Sequence, residues 1–298
     1  MKRLRLWAAM AAAAAIASTP SLAQDSPTLK KIKDAGAITL GHRESSVPFS
    51  YYNDNQEVIG YSQALMLKVV DAIKDELKLP KLDVKLMPVT SANRITLVQN
   101  GTIDIECGST TNNTERQKQV SFSNTIFVIG TRLAVAKDGG VKDFADLAGK
   151  NVVTTAGTTS ERIIRKMNDD QKMNMNIVSA KDHGEAFLTL ETGRAVAFMM
   201  DDALLYGAIA KAKQPDKWTV VGTAQSKEAY GCMLPKDDAG FKTVVDAALA
   251  KVMTSGEAEK IYATWFTSPI PPKSLNLTMP ISDDMKALYK SPNDKAFE

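Results

Sequence analysis

Two cysteines and two histidines in 298 residues leave little material for metal chemistry. His42 and His183 stand far apart, with no cysteine or carboxylate at ligand spacing, so no metal site is expected. Gly-x-Ser-x-Gly, Ser-x-x-Lys and Cys-His nucleophile patterns are missing, so no catalytic residue is assigned. Nor does any motif call for a cofactor. Beyond the N-terminus no stretch approaches eighteen apolar residues, which excludes an ordinary membrane-spanning helix. There is no block of basic residues, so neither nucleic acid nor an anionic membrane surface is an expected partner. A Gly/Ser-rich linker is also lacking, so any two units must be joined by chain that is itself structured.

The first 23 residues read as a leader rather than as fold. Lys2, Arg3 and Arg5 precede the apolar run "AAMAAAAAIA", and "PSLA" ends on small residues with Ala23 at the expected cleavage point. This is the pattern of a cleavable secretory signal peptide, and it implies export. Without it the chain holds 34 basic and 34 acidic residues, so the formal +3 of the whole sequence belongs to the leader. About 275 residues remain, enough for one large core or two moderate ones. In an oxidising compartment Cys107 and Cys232 can be bonded or stay as two buried thiols, and their spacing does not decide.

The rest alternates strand and helix. Ala37 to Leu40 reads as a strand, and "YSQALMLKVVDAIKDEL" places Tyr61, Leu65, Val69, Ile73 and Leu77 at helical spacing. "LDVKL" reads as a strand, "SANRITLVQNG" as a helix capped by Ser91, and "TIDIEC" as a strand. The same rhythm returns in "NVVTTAGTTSERIIRKM", "SAKDHGEAFLTLETG" and "AVAFMM". Setting Gly101 on Gly193 puts Ser109 opposite Asp201, each where a buried strand ends. Two α/β units with parallel sheets follow, and open sheets of this kind bind ligands at the carboxyl ends of their strands. "ECGST" and "EAYGC" are the expected crossovers. The stretch Gly108 to Arg116 leaves its strand through a row of hydroxyls and amides and closes on an arginine. A solvated loop needs only to turn. A row of short donors ending in a cation suits an anion.

With those residues in view, the chain resembles the extracytoplasmic solute-binding proteins of polar amino-acid ABC transporters. "NTERQKQVSFSN" after a small polar loop and "SGEAEKIYATWF" carry the likeness, which spans the chain after the leader. "GHRESSVPFSYY", "SAKDHGEAF", "AVAFMMDDALL" and "EAYGCML" are similar to the members that bind glutamate and aspartate. The resemblance implies a type II periplasmic-binding-protein fold: two lobes, two crossing hinge strands, and C-terminal helices returning to the first lobe. The implied division is 24–109 for the first part of lobe 1, 110–227 for lobe 2 and 228–298 for the return. It also implies a periplasmic monomer that binds L-glutamate or L-aspartate and meets permease subunits in the inner membrane. A small-acid enzyme of dehydratase type on the same fold, or a sensing ectodomain, are the alternatives. The first lacks an acid or base free of charged partners, and the second normally continues into a transmembrane helix.

Residue by residue, the resemblance assigns the α-carboxylate to Arg116, with Thr159 and Ser160 finishing its shell and Ser109 and Thr111 adding a backbone carbonyl or hydroxyl to the ammonium and the carboxylate. Asp201 takes the α-ammonium. Arg43, Ser91, Arg94 and His183 take the side-chain carboxylate. Three arginines and one acid amount to a surplus of two positive charges, which suits a second carboxylate. Asp202 is left as a helix cap and His42 is left out, pointing to the other face. If the crossovers of this fold run side by side, Cys107 and Cys232 come within bonding reach, and a disulfide is expected.

Overall fold

The computed structural model describes residues 26–271 and 273–297. The expected leader, 1–23, lies outside them. Ser26 opens helix α1 (Pro27–Ala35): its hydroxyl accepts Leu29 N–H, proline takes the first turn, and Gly36 ends the helix at φ 60°. Strands β1 (Ala37–His42), β2 (Ser45–Ser46), β3 (Ser50–Tyr52) and β4 (Val58–Ile59) follow. Helix α2 (Tyr61–Glu76) then buries Tyr61, Leu65, Val69 and Ile73 along one face, as their spacing requires. Next come β5 (Asp83–Pro88), α3 (Arg94–Gln99) and β6 (Ile105–Glu106). β5 and β6 flank β1, both parallel to it.

The structure departs from the sequence pattern at two places. Ser91 does not cap α3. The amide of Thr90 bonds Asn93 Oδ1 and the amide of Asn93 bonds Thr90 Oγ1, so the turn satisfies itself and the helix begins at Arg94. The expected first crossover, Glu106 to Thr110, is not the connecting strand either. The chain passes through β7 (Thr111–Asn112) and the short helix α4 (Thr114–Gln117) into β8 (Ser121–Ala136), a strand of 16 residues.

The second sheet is built from β9 (Asn151–Thr155), α5 (Thr159–Asp170), β10 (Asn176–Ala180), α6 (His183–Glu191), β11 (Ala197–Asp201), α7 (Asp202–Lys211) and β12 (Trp218–Val221). β9 pairs in parallel with β10 and β11. The chain returns through β13 (Lys227–Leu234) to α8 (Ala239–Thr254), α9 (Glu257–Tyr262) and α10 (Asp283–Lys290). The strand order β10-β9-β11-β8-β13-β6-β1-β5 shows how the lobes join. β8 pairs with β13 from Ser121 to Gly130, and its last six residues, Thr131 to Ala136, pair with β11 and β12. The crossing is carried by β8 and β13, antiparallel and side by side. Cys107, just past β6, bonds Cys232 in β13, with their Cα atoms 4.3 Å apart.

The C-terminal helices return to the first lobe, where α8 and α9 pack on α2. Tyr262 and Phe266 stack at 4.5 Å, and Phe49, Tyr61 and Phe127 close the cluster around them. The "IYATWF" signature is thus core packing that fastens the return segment. No helix among the described residues is long and apolar enough to cross a membrane.

Candidate functional site

The carboxyl ends of the strands of both lobes meet over β8 and β13, and the polar residues singled out from the sequence gather there. β1 ends one residue before Arg43. α3 begins with Arg94, whose place is set by the self-satisfied Thr90–Asn93 turn. Both guanidinium groups are 1% exposed. Arg43 Nη1 and Nη2 have no hydrogen-bond partner in the protein, and neither do Arg94 Nε, Ser91 Oγ, Ser109 Oγ and His183 Nε2. Buried donors are paired as a rule, because an unpaired one costs about 1–3 kcal/mol and a charged one more. These six atoms come from four chain segments and both lobes and offer donors to a ligand's acceptors, with one unpaired acceptor, Glu106 Oε1, behind Arg94.

Arg94 is partly committed. Its Nη1 donates to Ser109 O at 3.1 Å and to Thr110 Oγ1, and lies 4.0 Å from Glu106 Oε1. Arg43 has no such tether. Burial, and then the charge of Arg94, push Arg43 down to about 10, so it is still a cation at neutral pH. His183 opens α6, behind the cap Asp182, and its Nδ1 lies 2.9 Å from Thr155 Oγ1. Burial, then Arg43 and Arg94, hold the ring well below its ordinary value. The ring is neutral at neutral pH, and with Thr155 donating to Nδ1 its Nε2 carries the proton.

At the other end stands Arg116, held by Thr111 O at 2.9 Å and reaching Gly157 O of the second lobe at 3.2 Å. The α5 N-terminus lies beside it. Thr158 caps that helix by accepting Glu161 N–H, which leaves the first-turn amides of Thr159 and Ser160 without carbonyls ahead of them. Asp201 closes β11, 2% exposed, accepting Ser160 Oγ at 3.0 Å and the Tyr230 hydroxyl. Burial first, then the neighbouring Glu228, raise Asp201 to about 8. An ammonium placed against it would restore the carboxylate. Asp202 turns away: its carboxylate accepts Ala203 N–H. His42 packs edge-on against Tyr52, outside this cluster.

The model of bacterial extracellular solute-binding proteins, family 3, matches residues 38–268. The chain belongs to that family. Among its relatives, the glutamate/aspartate import solute-binding protein of Escherichia coli K12 is 63% identical over 269 residues, covering 90% of this chain and 89% of the relative. The L-glutamate/L-aspartate-binding protein of Pseudomonas aeruginosa is 63% identical over 287 residues, covering 96% and 95%. Among solved structures, an ancestral arginine-binding protein bound to glutamine superposes with a TM-score of 0.70 at 26% identity, covering 78% of this chain and 98% of its own. The solute receptor for L-cysteine of Neisseria gonorrhoeae gives 0.70 at 25%, covering 80% and 92%. All four are named as binding proteins or receptors for small solutes, and this chain is a solute-binding protein with the two-lobed fold.

In this family-3 protein all ten expected residues are buried, none more than 8% exposed. The charge count needs correction. Glu106 (0% exposed) and Glu228 (6%) join the cluster, so three arginines face three carboxyl groups rather than one. Glu106 Oε2 accepts Thr110 Oγ1 at 2.6 Å, and Glu228 Oε2 accepts the hydroxyls of Thr111 and Thr159. A hydroxyl has one hydrogen to give. Thr111 and Thr159 spend theirs on Glu228, and Ser160 spends its own on Asp201. Of the hydroxyls expected at the ligand's α end, those of Thr111, Thr159 and Ser160 are therefore positioning groups, and the α5 amides with Arg116 remain as the donors there. Ser109 Oγ is unpaired and Ser109 O accepts from Arg94, which sets this serine at the Arg43–Arg94 end instead. Among the described residues no group of His, Cys, Asp and Glu is arranged to hold a metal ion.

Proposed function

We propose that this chain is the periplasmic receptor that captures L-glutamate or L-aspartate between its lobes and delivers it to an ABC permease in the inner membrane. It is exported by cleavage of the leader at Ala23 and works as a monomer. The observation that carries the ligand class is Arg43. A guanidinium 1% exposed, with both terminal nitrogens unpaired, presents the fork that a carboxylate matches and an amide does not. Net charge no longer argues for a second carboxylate, since Glu106 and Glu228 offset two of the arginines. The local donors do. Arg43 and Arg94 with Ser91, Ser109 and His183 hold the side-chain carboxylate. Arg116 and the α5 amides hold the α-carboxylate, and Asp201 holds the ammonium. The names of the relatives at 63% identity support the same pair of ligands.

This reading takes residues up to the middle of β8, and those after the middle of β13, as one lobe. That keeps the expected return at about 228 and moves the first boundary from 109 into β8. The test is a thermal-shift screen of the leaderless protein, unfolded and refolded to remove bound ligand, against the twenty amino acids. Glutamate and aspartate should raise the unfolding midpoint most, because only ligands of the folded state do so. A screen led by glutamine, arginine or cysteine would reject the assignment.

A further inference from the structure

Beside the polar cluster, the two lobes also touch along a seam made largely of backbone. Gly207 lies in the middle of α7 and is buried. A Cβ built on it would stand 2.1 Å from Val47 O and 2.7 Å from Val47 C, in the first lobe. Gly157, in the turn before α5, has φ +77°, and a Cβ there would stand 2.7 Å from Ala92 Cα. Gly184, at the start of α6, donates its N–H to Ser45 Oγ at 3.2 Å, and Ser45 Oγ donates to Asp182 at 3.3 Å. Glycines of three second-lobe segments therefore receive three points of the first lobe, Val47, Ala92 and Ser45.

Gly207 is the informative one. A helix interior disfavours glycine by roughly 0.5–1 kcal/mol against alanine. Its own lobe therefore gives it no reason to be glycine; the other lobe does. The obstructing atoms are backbone carbonyl atoms rather than a flexible side-chain end, so they do not give way cheaply.

We propose that Gly207 against Val47, supported by Gly184 and Asp182 against Ser45, is a closure seam that sets ligand affinity without touching ligand. It rests on the reading of the chain as a two-lobed capture protein. The seam holds only when the lobes are shut, so its fit adds to the affinity for every ligand alike and leaves selectivity to the arginine end.

The experiment compares wild type, Gly207→Ala and Ser45→Ala for calorimetric affinity toward L-glutamate and L-aspartate, ligand-free unfolding midpoint, and radius of gyration at saturating L-glutamate. Gly207→Ala should weaken both ligands by the same factor, roughly 10- to 100-fold. Its ligand-free midpoint should be unchanged or higher, and its liganded form should be more expanded than liganded wild type. Ser45→Ala should weaken both ligands about 3-fold with no loss of folding. Unchanged affinity in either variant overturns the seam. So does a ligand-free Gly207→Ala protein that is destabilised or fails to fold, because the contact would then exist in the open form. Wild type that fails to bind either amino acid overturns the proposed function instead.

Discussion

Thr155 Oγ1 lies 2.9 Å from Nδ1 of His183, while Nε2 of the same ring has no partner in the protein. With the hydroxyl donating to Nδ1, the ring carries its proton on Nε2, the atom left to meet a ligand. Burial and two guanidinium groups keep that ring neutral. In an open cleft a solvated histidine titrates near 6.5. Burial and the two guanidinium groups lower its value on closure, so below about pH 6.5 closure expels a proton, an effect that the ligand carboxylate opposes in part. The affinity for glutamate should fall as pH drops from 7 to 5, by at most about tenfold per unit. Calorimetric titration across that range checks it. A rise in affinity toward acid would show that the ring binds as imidazolium.

The two ends of the site should separate by mutation. Arg43→Met removes the unpaired fork and should weaken glutamate by about 3–5 kcal/mol, the cost of breaking a buried charge pair, while weakening glutamine much less. Arg116→Lys keeps the charge but loses the geometry that grips Thr111 O and Gly157 O, and should weaken all ligands together. Equal losses for glutamate and glutamine in both variants would mean that the two carboxylate positions are exchanged or misplaced.

Asp201 makes a prediction about protons. Shut without an ammonium beside it, its carboxyl group is raised to about 8, so at pH 7 the closed form holds a proton that the open form, with an ordinary carboxylate, does not. Glutarate has both carboxylates of glutamate and no ammonium. Its binding at pH 7 should take up close to one proton more than glutamate binding does, the release from His183 being common to both. Titrations in buffers of different ionisation enthalpy measure this uptake directly. No uptake with glutarate would remove Asp201 from the ammonium position.

Much of this was legible in the sequence because it rests on local pattern. The spacing of Tyr61, Leu65, Val69 and Ile73 determines α2, and the polar exits at Arg43, Ser109 and Asp201 follow buried strands. What was hidden depends on pairing between distant segments. β8 as the crossing strand follows from its register with both β13 and β11, which no local pattern contains. Glu106 alternates with Ile105 and so resembles the solvated face of a strand. Glu228 opens "EAYGC", an expected crossover, but beside Lys227 its carboxylate looks like a solvated charge. Both are buried because Thr110, Thr111, Thr159 and Ser226 supply hydroxyl donors from elsewhere. Ser91 looks like a cap by position, and only the mutual bonds of Thr90 and Asn93 release it to face the cleft.

The Cys107–Cys232 bond joins positions 125 residues apart, the end of β6 and the returning strand β13. A loop of that size restricts the unfolded chain, and its removal should cost up to about 5 kcal/mol in the chain-entropy account. Replacing both cysteines by serine should lower the unfolding midpoint while changing glutamate affinity little, since neither sulfur reaches the cluster. Denaturant unfolding with and without reductant measures the first, and calorimetry the second. A large loss of affinity at an unchanged midpoint would mean that the bond tunes the hinge instead.

The central claim is that Arg43, with Arg94 and His183, reads a side-chain carboxylate by offering donors only. The most direct test is the ratio of calorimetric affinities of the ligand-stripped protein for L-glutamate and L-glutamine at pH 7. Glutamine presents an NH₂ donor to those donors and leaves a buried cation short of a partner, so glutamate should bind at least about 100-fold more tightly. Equal affinity for the two would contradict the account.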